Sequence, residues 1–254
     1  MRRIRVIPVL LLKGQGLYKT VKFKEPKYVG DPINAVKIFN DKEVDELCFL
    51  DITATGENRE PNYKVISEIA SECFMPLSYG GGITNIEQAS KLFSIGVEKI
   101  IISTAVHTNP GLVTELSTRY GAQSVVVCLD VKKSFLGKYE VYTHAGKKNS
   151  GKNPVQFALD MQKAGAGEII INSIDRDGTM QGYDTDLLHK VASQLEIPVI
   201  ACGGAGSVED LGKAIVQGHA SAVAAGSMFV FHGKHRAVLI SYPSSKDLLQ
   251  LNRN

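Results

Sequence analysis

The sequence predicts a single (β/α)8 TIM barrel built from two duplicated half-barrels, on three observations. Eight short apolar runs recur along the 254 residues, at 4–12, 46–52, 75–79, 98–103, 124–131, 168–173, 197–202 and 221–226. Helical patterns alternate with them, as a parallel sheet requires. One pattern also occurs twice. LSYGGGITNIEQASKLFSIGVEKIIIST (77–104) returns as VIACGGAGSVEDLGKAIVQGHASAVAAG (199–226), and an offset of 122 residues carries Gly81-Gly82 onto Gly203-Gly204 and Gly96 onto Gly218. A flavodoxin-like open sheet is the competing architecture, and it leaves the repeat without a cause.

Each element has a local reason. Most strand segments are continuous runs of Val, Ile, Leu and Ala, as strands buried on both faces are. PINAVKIFNDKEV (32–44), NYKVISEIASECF (62–74), GLVTELSTRYG (111–121) and PVQFALDMQKAGA (154–166) place apolar residues at helical spacing. Two further helices open near Glu87 and Glu209, each after a glycine turn. Such a turn leaves backbone N–H groups free beside a positive helix terminus, which suits a phosphate. Tight strand–helix packing is the plainer reading of each turn taken singly. Two in register imply two anion sites facing each other, and a long substrate with an anionic group at each end. No linker or composition shift divides the chain, so one domain is expected over 1–254, with half-barrels of about 1–120 and 121–254.

Bulk composition excludes several classes. A net charge of +3 is too small to argue for nucleic acid. No run of eighteen apolar residues predicts membrane insertion, and the N-terminus lacks a cleavable leader pattern, so a soluble cytoplasmic protein is expected. Cys48, Cys73, Cys128 and Cys202 sit singly and read as reduced core residues. His232 and His235, beside Gly233, form no metal motif, and the sequence calls for neither metal nor cofactor. Lysines crowd two segments read as loops: Lys13, Lys19, Lys22, Lys24 and Lys27, then Lys132, Lys133, Lys138, Lys147, Lys148 and Lys152. That doubled arrangement matches the doubled glycine turns and would steer an anionic small molecule.

In a barrel of this type, strand C-termini face the catalytic mouth and strand starts face the floor. The mouth then holds Asp51, Ser103, Thr104, Asp130, Asp175, Asp177, Gly178 and Ser227, and the floor holds Arg5, Glu46, Lys99 and Glu168. Setting RVIPVLLLK (5–13) beside VVVCLDVKK (125–133), with Lys13 on Lys132, puts Leu11 opposite Asp130. Carboxylates at both positions would give a facing acid and base. Leucine cannot titrate, so that pair is broken. A capping or salt-bridged aspartate is the alternative for Asp130, and a stabilising bottom-layer network is the alternative for the floor residues.

Over nearly its whole length the chain resembles HisF, the cyclase subunit of imidazole glycerol phosphate synthase. FLDITAT (49–55), YGGGI (79–83), GAGEI (165–169), SIDRDGT with GYD (173–184) and CGGAG (202–206) carry the resemblance. It implies a duplicated (β/α)8 barrel, a HisH-type glutaminase docked at the floor, and ammonia passing through the barrel to the mouth. Carried across, Gly82, Ser103 and Thr104 match one phosphate site, with Ser103 standing where the family has Asn. Asp177, Gly178, Gly204, Gly226 and Ser227 match the other. Lys19 matches the mobile active-site loop, Asp130 one of two catalytic aspartates, and Arg5, Glu46, Lys99 and Glu168 the ammonia gate. The second aspartate falls on Leu11.

IPVLLLKGQGLYKTVKF followed by KYVGDPINAV resembles the HisF-like proteins of the WbuZ type, linked to bacterial surface-glycan synthesis. There the partners are a HisH-like glutaminase and an N-acetyl-sugar amidotransferase. The expected function is an ammonia-channelling synthase subunit for amidation of a surface-glycan sugar. An authentic histidine-pathway cyclase, with Asp51 or a water replacing the lost carboxylate, is the second expectation. A non-catalytic conduit that activates the glutaminase is the third.

Overall fold

The computed structural model describes residues 4–233 and 235–251. The ends of the expected 1–254 domain, and residue 234, lie outside the described residues. All eight expected strands form: Arg5–Lys13, Leu47–Asp51, Leu77–Gly80, Lys99–Ile102, Val125–Lys133, Glu168–Ser173, Val199–Cys202 and Ala222–Ala225. These are the first to eighth barrel strands. Each pairs in parallel with its neighbours, and the first closes on the eighth with Arg5 opposite Ala222.

The period of two along each strand sorts side chains into two concentric cores. On the first strand Val6, Leu10 and Leu12 join the outer core under the helices, while Ile7, Val9 and Leu11 join the inner cluster. Cys48, Ile101, Val126, Cys128, Ile170 and Ile200 complete most of that inner cluster. Because inward residues recur every second position, Arg5 and Leu11 share the inner face of the first strand, and Glu168 and Asn172 that of the sixth.

Side-chain caps fix where the helices begin. Asp31, Asn62, Asn85, Asn153, Asp184 and Ser207 each accept a first-turn backbone N–H, opening Pro32–Asp41, Tyr63–Glu72, Ile86–Ser94, Pro154–Lys163, Thr185–Ala192 and Val208–Val216. Ser207 and Asp210 form a full capping box. Thr185–Ala192 is a helix that the sequence pattern left unmarked; it is eight residues long and buries Leu187, Leu188 and Val191.

The two lysine-rich segments are not loops. Gly16–Val21 folds back antiparallel on the first strand and pairs with Lys24–Gly30. Tyr139–Thr143 does the same on the fifth strand and pairs with Lys148–Asn149. β-then-α alternation is therefore interrupted at the same point of each half. The duplication extends to contacts: Lys13 lies over the Tyr18 ring at 5.4 Å, and Lys132 over the Tyr142 ring at 5.8 Å.

Candidate functional site

A cavity of about 650 Å³ opens at the C-terminal ends of the strands. Lys19, Asp51, Gly82, Ser103, Thr104, Asp130, Asp177, Gly178, Gly204, Gly226 and Ser227 all line it, so the residues expected at the mouth come together, with one exception. Asp175 does not line it; its carboxylate accepts the Lys133 backbone N–H at 2.8 Å. Among the described residues no group of three His, Cys, Asp or Glu is placed to hold a metal ion.

Asp130 is buried on the inner face of the fifth strand. Its Oδ1 accepts Asn172 Nδ2 at 3.0 Å, with Cys128 Sγ at 3.9 Å. Burial pushes its carboxyl up to about 7, with Asp177's charge adding to the rise and hydrogen bonds from Asn172, Cys128 and Ser103 opposing it. A carboxyl near neutrality can give or take a proton. Leu11 lines the same cavity from the first strand. Its register neighbour is Leu50, whereas that of Asp130 is Asn172. The first half-barrel thus presents two leucines where the second presents a hydrogen-bonded carboxyl and carboxamide. The expected Leu11–Asp130 asymmetry is accompanied by a second, unpredicted one.

Lys19, expected on a mobile loop, is buried within the strand Gly16–Val21, and its Nζ donates to Val9 O at 2.8 Å. Burial lowers its ammonium to about 8, against an opposing pull from Asp177. The hairpin turn is tied to the loop after the sixth strand. Thr20 Oγ1 and the Phe23 N–H donate to Asp177 Oδ2 at 2.9 and 3.1 Å, and the Lys22 N–H donates to Asp177 O at 2.9 Å. Burial raises the Asp177 carboxyl despite these donors and Lys19.

Asp51 is fully engaged. Arg59 Nη2 reaches its two carboxylate oxygens at 3.0 and 2.8 Å, and Oδ1 also accepts the Thr53 and Ala54 backbone N–H groups at 3.0 Å. Arg59 carried no sequence signal, because nothing in the segment 53–60 has a period that would place it.

The glycine turns pack tightly: a Cβ on Gly82 would stand 2.6 Å from Arg59 O, and one on Gly204 would strike Gly182 O. Their following helices are closed by Asn85 and Ser207, so the first-turn N–H groups there are partly satisfied. Short helical turns after the fourth and eighth strands differ. Thr104–His107 and Ser227–Val230 begin at Ser103 and Gly226 with no side-chain cap, and both begin on the cavity wall. Beside each glycine turn, these uncapped starts have a geometry that suits an anion. His144 N donates to Thr104 Oγ1 at 3.0 Å and links the second hairpin to one of them.

At the floor, Arg5, Glu46, Lys99 and Glu168 form a closed ring of alternating charge. Arg5 bridges Glu46 at 2.6 Å and Glu168 at 2.5 Å; Lys99 bridges the same two at 2.8 and 3.2 Å. Between ring and mouth lies a void of about 10 Å³, lined by Glu46 below, by Ile7, Val9, Cys48, Val126 and Ile170 along its wall, and by Asn172 and Cys202 above. That is the space of about one water-sized molecule.

A family model described as "Histidine biosynthesis protein" matches residues 5–236. The "Putative imidazole glycerol phosphate synthase subunit hisF2" of Pseudomonas aeruginosa is 56% identical over 248 residues, covering 98% of this chain and 99% of the relative. The "Putative imidazole glycerol phosphate synthase subunit hisF3" of Vibrio vulnificus is 52% identical, covering 97% and 95%. The "Imidazole glycerol phosphate synthase subunit HisF" of Hyphomonas neptunium is 44% identical over 231 residues, 91% of each chain.

Proposed function

The chain belongs to the histidine biosynthesis protein family, among its HisF-type members, and from that premise we propose that it is the synthase-type subunit of a glutamine-dependent amidotransferase. A HisH-type glutaminase docks at the floor, in the cytoplasm. Its ammonia passes the ring of Arg5, Glu46, Lys99 and Glu168, crosses the apolar interior, and emerges beside Asp130. The acceptor is a surface-glycan sugar rather than the cyclase substrate, with an N-acetyl-sugar amidotransferase as the further partner. The observation that carries this reading is a contrast within one molecule: a complete ring and an ammonia-sized interior below, and half a proton-transfer pair above.

Each part has a chemical role in that scheme. Arg5 and Lys99 each hold two carboxylates, so displacing one cation opens a path while the other keeps the ring assembled. The apolar wall favours neutral ammonia over ammonium, which would shed its hydration at a cost of several kcal/mol. At the mouth, Gly82, Ser103 and Thr104 form one anion cradle, and Asp177, Gly178, Gly204, Gly226 and Ser227 border the other. Lys19 and Asp51 flank the cavity between them. Asp130, its carboxyl near neutrality, is the acid placed for proton transfer.

The names of the relatives favour a second reading, an authentic cyclase of histidine biosynthesis. Asp51 is a poor substitute for the missing acid in that case, because Arg59 and two backbone N–H groups already hold its carboxylate. Co-expression with the host's HisH-type glutaminase tests the leading proposal. A stable complex and faster glutamine hydrolysis are expected, with ammonia withheld from bulk solution when an acceptor enzyme is present. Absence of both complex and stimulation removes the proposal.

A further inference from the structure

Asn172 carries the least explained polar atom at the mouth. Only 6% of the residue is exposed. Nδ2 is spent on Asp130, while Oδ1 is buried and has no hydrogen-bond partner. A buried carboxamide oxygen without a donor costs about 1–3 kcal/mol. The oxygen is aimed toward Gly203: a Cβ on that glycine would come within 2.9 Å of it. Gly203 lines the mouth cavity, and Asn172 lines both that cavity and the interior void. The orphan acceptor therefore stands where the one passage opens into the other.

The other half-barrel serves as an internal control. Leu50 holds the equivalent position, paired with Leu11 as Asn172 is paired with Asp130. An apolar residue fits this place in the fold, so the architecture does not demand a carboxamide. We infer that Asn172 Oδ1 and the Asp130 carboxylate form a docking point for ammonia or ammonium at the top of the barrel interior. This rests on the conduit reading above and adds to it the place where the transported molecule is caught.

The chemistry suits that ligand class. Two acceptors on hydrogen-bonded neighbours match a small molecule with several N–H donors. Tetramethylammonium carries the same charge but no N–H group and can satisfy neither acceptor. Surrounding groups do not compete as acceptors. Cys128 and Cys202 are held as thiols by burial. Lys19 is bound to Val9 O, Asp177 is occupied by Thr20 and Phe23, and Ser103 lies on the Asp130 side.

The test is a carbon-13 NMR titration of the Asp130 carboxyl in the full-length chain, in ammonium chloride, tetramethylammonium chloride and sodium chloride of equal strength. A cation docked on the carboxylate lowers its midpoint, by about one pH unit at roughly tenfold excess over the dissociation constant. That lowering is expected with ammonium, should be far smaller with tetramethylammonium, and should vanish in Asn172→Leu. Equal midpoints in all three salts, the outcome if water alone satisfies Oδ1, overturn the inference. So does a full ammonium effect in Asn172→Leu. Should that variant not fold, the ammonium-against-tetramethylammonium difference in the unaltered chain decides the matter. Bulk ammonium is used without a glutaminase, so failure here leaves conduction untouched, and failure of coupling to the glutaminase leaves this site untouched.

Discussion

Leu11 and Asp130 occupy the same place in the two half-barrels. Each precedes by two residues a lysine packed over a hairpin tyrosine, each pairs with that tyrosine across the antiparallel strand, and each lines the mouth cavity. One is a titratable acid and the other a hydrocarbon. The scaffold is symmetric while the chemistry of its two halves differs, and Leu50 opposite Asn172 extends the difference to a second pair.

Asp130 should make the protein less stable as pH rises. Its carboxyl titrates at about 7 when folded, because of burial, and near 3.9 when unfolded. Between those values the folded state binds the extra proton, so stability falls through that window and levels off above it. Asp130→Asn removes the penalty. It should raise the melting temperature at pH 8, by the equivalent of roughly 2–4 kcal/mol, and much less at pH 5. An equal change at both pH values would show that the carboxyl is not perturbed.

Removing one acid from the floor ring should be costly. Glu46→Gln leaves Arg5 and Lys99 sharing Glu168 in a partly buried setting, where breaking a pair costs about 3 kcal/mol. Thermal denaturation should report that loss. In the glutaminase complex the same variant should release ammonia to bulk solution, and unchanged retention would argue that the ring is structural only.

Gly178 holds the first hairpin against the mouth. Its φ is +69° and a Cβ there would collide with Thr20 O. Gly178→Ala combines left-handed strain with that collision, about 1–3 kcal/mol together, and should push the hairpin turn off Asp177. Trypsin should then cut at Lys22 or Lys24 faster than in the unaltered chain. An unchanged cleavage rate would mean that the hairpin is anchored elsewhere.

Much of this was legible in the sequence, for physical reasons that differ by residue. The eight strands and the repeat were readable because double-faced burial writes long apolar runs, and duplication copies glycines at a fixed offset. Arg5, Glu46, Lys99 and Glu168 were readable as a group because each sits at a strand start, where a charge has to face either solvent or its own kind of ring. The hairpins were missed because their lysines, Tyr18, Tyr28, Tyr139 and Tyr142 mix polar and aromatic character as exposed antiparallel strands do. Asn172 was open to discovery: it follows Glu168 and Ile170 at the period of two and therefore faces inward. Arg59 was not, since only the folded path of the loop brings it to Asp51.

In the proposed function the barrel delivers ammonia but lacks the proton-handling pair for ring closure. The most direct measurement is turnover of the cyclase substrate, with ammonium salts as nitrogen source, by the unaltered chain and by Leu11→Asp. Loss of one such group costs about 10²–10⁴ in rate. The unaltered chain should show negligible turnover and Leu11→Asp a gain toward that size, whereas robust turnover with Leu11 in place would contradict the account.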